Sequence, residues 1–164
     1  MEKTKQHTAI WEILESVTDP EIPVLSILDL GIVRDVKVEA DEVSIIITPT
    51  YSGCPAMNMI EVEIRKALKS AGYTSIKVNT ILSPAWTTAW LTENGKEKLR
   101  AYGIAPPEDD SPDVFSLWGD SKAITCPHCG AKTNKLISQF GSTACKALYQ
   151  CTSCLEPFDY FKCH

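Results

Sequence analysis

Four cysteines near the end of the chain restrict its fold more than any other residues. "CPHC" at 126–129 and "CTSC" at 151–154 form two C-x2-C pairs with 21 residues between them. Each pair fits one tight knuckle. Two knuckles bring four thiolates to tetrahedral positions around one ion. Cys126, Cys129, Cys151 and Cys154 are therefore expected metal ligands, with zinc as the ion and iron in the same four sulfurs as the alternative. Gly130 suits the turn after the first knuckle, and Leu155 takes that place in the second. A module of about 40 residues buries too little surface to be stable alone, so the metal supplies much of its folding energy. Four cysteines close the site and point to a structural role. His128, inside the first knuckle, is read as a solvated side chain.

Six of the seven cysteines lie in the last 39 residues. In a reducing compartment such clustering indicates metal binding over a disulfide framework. Cys145 and Cys163 stand outside the four. They are either ordinary packed thiols or, with His164, a second thiol site. No apolar h-region follows the polar start "MEKTKQHTAIWEIL", and no window approaches the ~18 apolar residues that span a bilayer. A cytoplasmic protein with no membrane contact is expected.

Charge divides the chain. Residues 1–105 carry 11 basic and 14 acidic side chains, a balance of −3. Residues 106–120, "PPEDDSPDVFSLWGD", carry five acids and no base and read as an acidic, Pro-rich linker. Residues 121–164 carry five lysines and two acids. That excess is a weak basic patch beside an acidic linker, and the net charge of the chain is −5, so no nucleic-acid partner is expected.

The first 105 residues read as α-β-β-α-β-α. Ile10, Ile13, Leu14 and Val17 recur at helical spacing, and Pro20 and Pro23 stop that helix. "IVRDVKVEADEVSIIITPT" predicts two strands with a turn near Ala40–Asp41. From Pro55 to Ala71, Met59, Ile60, Val62, Ile64 and Leu68 predict a helix, with Gly72 as C-cap. "TSIKVNTIL" predicts a third strand. Ser83 followed by Pro84 predicts the start of a last helix or helix pair running to Tyr102.

One thiol, Cys54, stands at a strand-to-helix joint, "TPTYSGCPAMNM". The first-turn N–H groups and the positive helix end favour a thiolate there, and hence a lowered pKa. A thiolate is a nucleophile and a soft-metal ligand. Thr48, Thr50 and Ser52 add hydroxyl groups nearby. The alternative is a small buried side chain with no chemistry. A single cysteine cannot complete an iron–sulfur cluster, which takes about four ligands. Further ligands would come from a second protomer, a partner, or this chain. Asp19 and Glu21, in "DPEIPVLSILDLGIV", are either turn and capping residues, like Asp29, or partners of Cys54. An enzymatic thiol would need a base, and His7, His128 and His164 have no recognisable catalytic context.

"DPEIPVLSILDLGIVRDV" followed by "TPTYSGCPAMNMI" resembles the domain shared by SufT-like iron–sulfur maturation factors and eukaryotic cytosolic iron–sulfur assembly proteins, over about residues 8–105. Together with the C-terminal cysteine pattern, the whole chain resembles the PaaD family. The resemblance implies a two-layer α+β domain of the iron–sulfur-cluster-assembly type over 1–105, a linker over 106–120 and a zinc ribbon over 121–164. It implies that Cys54 is the functional thiol, ligating iron or an iron–sulfur cluster transiently, with Asp19, Glu21 and Thr50 in support. It further implies an accessory, non-enzymatic role beside the phenylacetyl-CoA epoxidase, which has a di-iron oxygenase subunit and a reductase with flavin and a [2Fe–2S] centre. Expected partners are those subunits, the iron–sulfur assembly machinery, or a second copy of the chain. The alternative within the family is a zinc-ribbon interaction subunit with no metal-transfer role.

Overall fold

The computed structural model describes residues 2–108, 123–133 and 135–162. The greater part of the expected linker, as well as Cys163 and His164, lies outside these residues. The chain divides into two compact units, residues 1–86 with 90–92, and residues 87–89 with 93–164.

The first unit begins with helix α1 (Glu2–Glu15). Ile10 and Leu14, one turn apart, are fully buried, and Val17 is buried just beyond the helix. A β-hairpin follows, β1 (Val33–Glu39) and β2 (Glu42–Ile47). Its turn is at Ala40, which takes a positive φ of 50°. Val36 pairs with Ile45 and Val38 with Val43. Val43, Ile45 and Ile47 are buried while the residues between them are not, the period-two pattern of a strand with one core face.

Helix α2 (Ala56–Ser70) then crosses to β3 (Ser75–Thr80), which pairs with β2 in parallel. The sheet order is β1-β2-β3, and α1 and α2 pack on each other and on the sheet. The buried stripe of α2 is Ala56, Ile60, Ile64 and Leu68, every fourth residue. Met59 and Val62, expected among the apolar positions, face solvent at 55% and 57% exposure. Gly72 ends the helix at φ 95°, and the N–H of Tyr73 reaches back to the carbonyl of Leu68. Arg65 pairs with Glu61 at 2.8 Å and donates to the Ile76 carbonyl at 2.6 Å, tying α2 to β3.

The helix expected from Pro84 does not form there. Residues 83–87 are irregular, a 3-10 turn covers Thr88–Trp90, and α3 runs only over Glu93–Ala101. Tertiary contacts override the capping signal. Trp86 is buried and its indole N–H donates to the Leu30 carbonyl at 2.7 Å. Thr92 bonds the buried Asp29 through backbone and side chain. Gly31, at φ 65°, lets Trp90 sit against it; a Cβ there would meet the Trp90 carbonyl oxygen at 2.2 Å.

The second unit holds α3, β4 (Ile104–Ala105), β5 (Ile124–Thr125), β6 (Lys132–Thr133), β7 (Leu136–Ser138), β8 (Lys146–Gln150) and β9 (Pro157–Phe161). β5 and β6 form a short hairpin; the other four strands make one sheet in the order β4-β9-β8-β7. The structural division therefore differs from the boundary expected at residue 105. Ile104 and Ala105 pair in parallel with Asp159 and Tyr160, which draws residues 93–105 into the C-terminal unit. The core of this unit is Ala105, Ile124, Cys126, Ala147, Tyr149, Cys151, Phe158 and Tyr160. Among the described residues no helix is long and apolar enough to cross a membrane.

Candidate metal centre and candidate thiol site

The four expected ligands converge. The sulfurs of Cys126, Cys129, Cys151 and Cys154 all lie within 4.8 Å of one another. Cys126 and Cys154 sulfurs are 3.8 Å apart, and those of Cys129 and Cys151 are 3.5 Å apart. Tetrahedral metal–sulfur bonds of about 2.3 Å give an edge of about 3.8 Å, so the spacing fits a closed zinc site.

The two knuckles are built alike. Cys126 accepts from the N–H of Gly130 at 2.9 Å, and Cys151 accepts from the N–H of Leu155 at 3.1 Å, both through the backbone carbonyl. Each turn ends in the left-handed region, Gly130 at φ 76° and Leu155 at φ 65°. The second knuckle thus holds a β-carbon where the first has none. Leu155 tolerates the position with its side chain 66% exposed. His128 is exposed, stands outside the four-thiol group, and its ring faces Gly103.

The four thiols bear on one another's protonation. Backbone N–H groups of Cys154 and Ser153 hold the Cys151 thiol down to about 6. At Cys154 the N–H of Glu156 pulls the other way from burial and from neighbouring thiols, which win and push it up to about 12. A cation at the centre is what allows all four to ionise together.

Cys54 sits at the head of α2. Pro55 is the cap residue by backbone and makes no side-chain cap, while the Cys54 sulfur accepts the N–H of Ala56. Gly53 takes φ 89° at the corner. The placement is the one expected, but the thiolate is not favoured. Burial pushes the Cys54 thiol above its ordinary range; the Ala56 and Tyr51 hydrogen bonds oppose this, and the charges of Glu21 and Asp19 add to it. The helix end does act on the sulfur, through Ala56, and is outweighed.

Glu21 and Asp19 are thus within electrostatic reach of Cys54, a proximity spacing alone does not reveal. Asp19 also has the structural task considered for it. Its Oδ1 accepts the N–H groups of Glu21 and Ile22 at 2.7 and 2.8 Å, fixing the Pro20 turn. Asp29 serves the scaffold, exchanging bonds with Ser26 in a reciprocal cap. Thr50 is half-buried and bonds neither to nor near the thiol among the described contacts. Sequence reasoning missed Tyr51, whose side chain bonds the sulfur. It also missed the condition of Thr48, 1% exposed with its hydroxyl unpaired. The apolar alternation of β2 carries no sign of either.

Cys145 is buried, its sulfur 3.1 Å from the Thr143 hydroxyl and its carbonyl bonded to the Lys162 N–H. It is not in the four-thiol group, and a pairing with Cys163 falls outside the described residues.

Family models match both units separately. Residues 7–79 match an iron-sulfur cluster assembly protein model, and residues 110–162 match the PaaD zinc beta ribbon domain. An Escherichia coli (strain K12) protein, named as the D component of a putative 1,2-phenylacetyl-CoA epoxidase, is 50% identical over 154 residues, covering 94% of this chain and 91% of that one. The chain belongs to the PaaD family. An "Fe-S protein maturation auxiliary factor" of Porphyromonas gingivalis is 34% identical over 92 residues, 55% of this chain and 87% of that protein. A solved domain of unknown function DUF59 from Bacillus anthracis superposes with a TM-score of 0.53 at 29% identity, over 56% of this chain and 89% of that one. The PaaD architecture here is therefore an α+β iron–sulfur-assembly-like domain followed by a four-cysteine zinc ribbon.

Proposed function

We propose that this PaaD protein is an accessory maturation factor for a phenylacetyl-CoA epoxidase and has no intrinsic enzyme activity. It assists the loading of an iron or iron–sulfur cofactor on the reductase or oxygenase subunit. Cys54 is the transient ligand, supported by Glu21 and Asp19. The iron–sulfur assembly machinery, or a second copy of the chain, provides the remaining donors. The ribbon, with zinc in its four thiolates, is a structural and client-facing module.

The observation that carries this reading is the pairing of a half-buried thiol with two carboxylates that act on it electrostatically. Burial chiefly holds the thiol protonated, and the carboxylates that add to this also attract a divalent cation. Iron arriving there displaces the proton: Cys54–SH and Fe²⁺ become a thiolate-bound iron and H⁺. The ligand set is incomplete, which suits cargo that has to leave again. The similarity to a protein named as an Fe-S maturation auxiliary factor supports the same reading.

The test is co-production of the Cys54→Ser variant with the epoxidase subunits. The expected result is normal folding and one zinc per chain, with a reductase or oxygenase deficient in iron. Full cofactor loading in that background would falsify the proposal.

A second reading is favoured by the raised pKa of Cys54. A thiol held protonated is a poor free ligand, so the chain would serve the epoxidase through its ribbon surface alone. Loss of client loading on Cys54→Ser with retained binding to the client excludes this alternative.

A further inference from the structure

The four ribbon thiols are unequally protected. Cys126 and Cys151 are sealed, at 1% and 0% exposure, within the cluster of Ala147, Tyr149, Phe158 and Tyr160. Cys154 is half-buried and packs on the same cluster. Cys129 is exposed. Hydrogen bonding separates Cys151 and Cys154 from Cys129 in the same way, while Cys126 relies on burial. Cys151 accepts from the N–H groups of Ser153 at 3.4 Å and Cys154 at 3.5 Å, and Cys154 accepts from that of Glu156. Among the described residues Cys129 receives no backbone N–H. N–H donors withdraw electron density from sulfur, and burial excludes reagents. Cys129 has neither protection.

Its nearest partner is close. The Cys129 and Cys151 sulfurs are 3.5 Å apart. A disulfide needs about 2.05 Å, and the exposed side of the pair is the one free to move.

We propose that Cys129 is a redox modification site, where a hydroperoxide enters the ribbon and Cys151 resolves the product. The Cys129 thiolate attacks the outer oxygen of ROOH; the O–O bond breaks, and RO⁻ leaves with a sulfenic acid formed on Cys129. The Cys151 thiolate then attacks that sulfur; the S–S bond forms, the S–O bond breaks, and hydroxide leaves. With two protons taken up from water, two thiolates and ROOH yield a disulfide, ROH and water. The peroxide is the oxidant, and the two cysteines supply the two electrons. Two of the four donors are lost, and the site gives up its ion. This inference rests on the ribbon thiols holding zinc and is independent of any role for Cys54.

The test uses the full zinc-loaded chain and hydrogen peroxide as the probe. Zinc release is followed with a chelating dye, and products are mapped by peptide mass spectrometry with and without dimedone. The expected first adduct is dimedone on Cys129. Without dimedone a Cys129–Cys151 disulfide should appear in step with zinc release. Cys129→His retains four donors, since Cys₃His zinc sites exist, and should release zinc at about one tenth of the parental rate. A first adduct on Cys126, Cys151 or Cys154 would overturn the proposal, as would a Cys126–Cys154 disulfide. So would release from Cys129→His at the parental rate. If that variant fails to fold, adduct mapping on the parent decides alone. Cys54→Ser and Cys145→Ser should release zinc at the parental rate, and slower release in either counts against the assignment.

Discussion

Cys54 and Cys151 meet the same kind of partner, backbone N–H groups at a turn or helix start. At Cys151 two such groups prevail and the thiol is driven down. At Cys54 one such group, from Ala56, is overcome by burial and by carboxylates. The number of donors and the sign of the neighbouring charge push these two thiols in opposite directions. Four converging sulfurs make a permanent site; one sulfur beside two acids makes a place that needs a visitor.

The largest effect expected from breaking this contrast is on the ribbon. Cys151→Ser, or metal removal by a chelator, should abolish hydrogen-exchange protection in β8 and β9. Structural zinc is worth about 10–16 kcal/mol in comparable small modules. The protection of β2 and α2 should survive, because their core is a separate set of aliphatic side chains. Protection of β8 unchanged after chelation would mean that the ribbon folds without metal.

A smaller effect separates the two knuckles. Leu155→Gly should stabilise the second by about 0.5–1 kcal/mol, since relief of the left-handed strain exceeds the added chain entropy. Gly130→Ala should cost about 1 kcal/mol by the reverse argument, although nothing lies within 4 Å of the added carbon. Thermal unfolding of the zinc-loaded chain measures both. Equal and negligible shifts would mean the knuckle backbone relaxes.

Glu21→Gln sharpens the other side of the comparison. Its charge is one cause of the raised Cys54 pKa, behind burial. The alkylation midpoint should therefore move down while staying above an ordinary thiol's, and alkylation at pH 8 should speed up by about twofold to fivefold. An unmoved midpoint would remove the electrostatic link on which the Cys54 site depends.

The smallest effect is on stability. Cys54→Ser should change unfolding free energy near neutral pH by less than about 0.5 kcal/mol. The pH slope has a definite sign. Folding raises this thiol's pKa, so its contribution is complete below the unfolded pKa and is lost as pH rises through the higher folded value. The serine variant should lack that alkaline loss.

How much of this was legible in the sequence depends on range. The four-thiol site follows from spacing, because each knuckle is local and the metal supplies the one long-range restraint. The hairpin turn at Ala40 and the α2 cap at Gly72 were also local signals. The helix expected at Pro84 failed where a distant carbonyl, that of Leu30, captured Trp86. The link of β4 to β9 spans some fifty residues and leaves no mark in a two-residue strand. The corner at Cys54 was readable, but its protonation was not. That depends on burial and on Glu21, which is brought near only by the fold. Leu155 is the reverse case: a residue that departs from the glycine pattern yet keeps the glycine geometry.

The pairing of β9 between β4 and β8 has a consequence for biosynthesis. An inner strand of this four-stranded sheet is the last of the described strands to leave the ribosome. Until Phe161 emerges, β4 and β8 flank an empty slot, and Cys151 and Cys154 have only just been made. The N-terminal unit, complete by Thr92, can fold while the ribbon is still unfinished. Closure of the second unit's sheet therefore has to wait for β9, which follows all four metal-site cysteines in the chain.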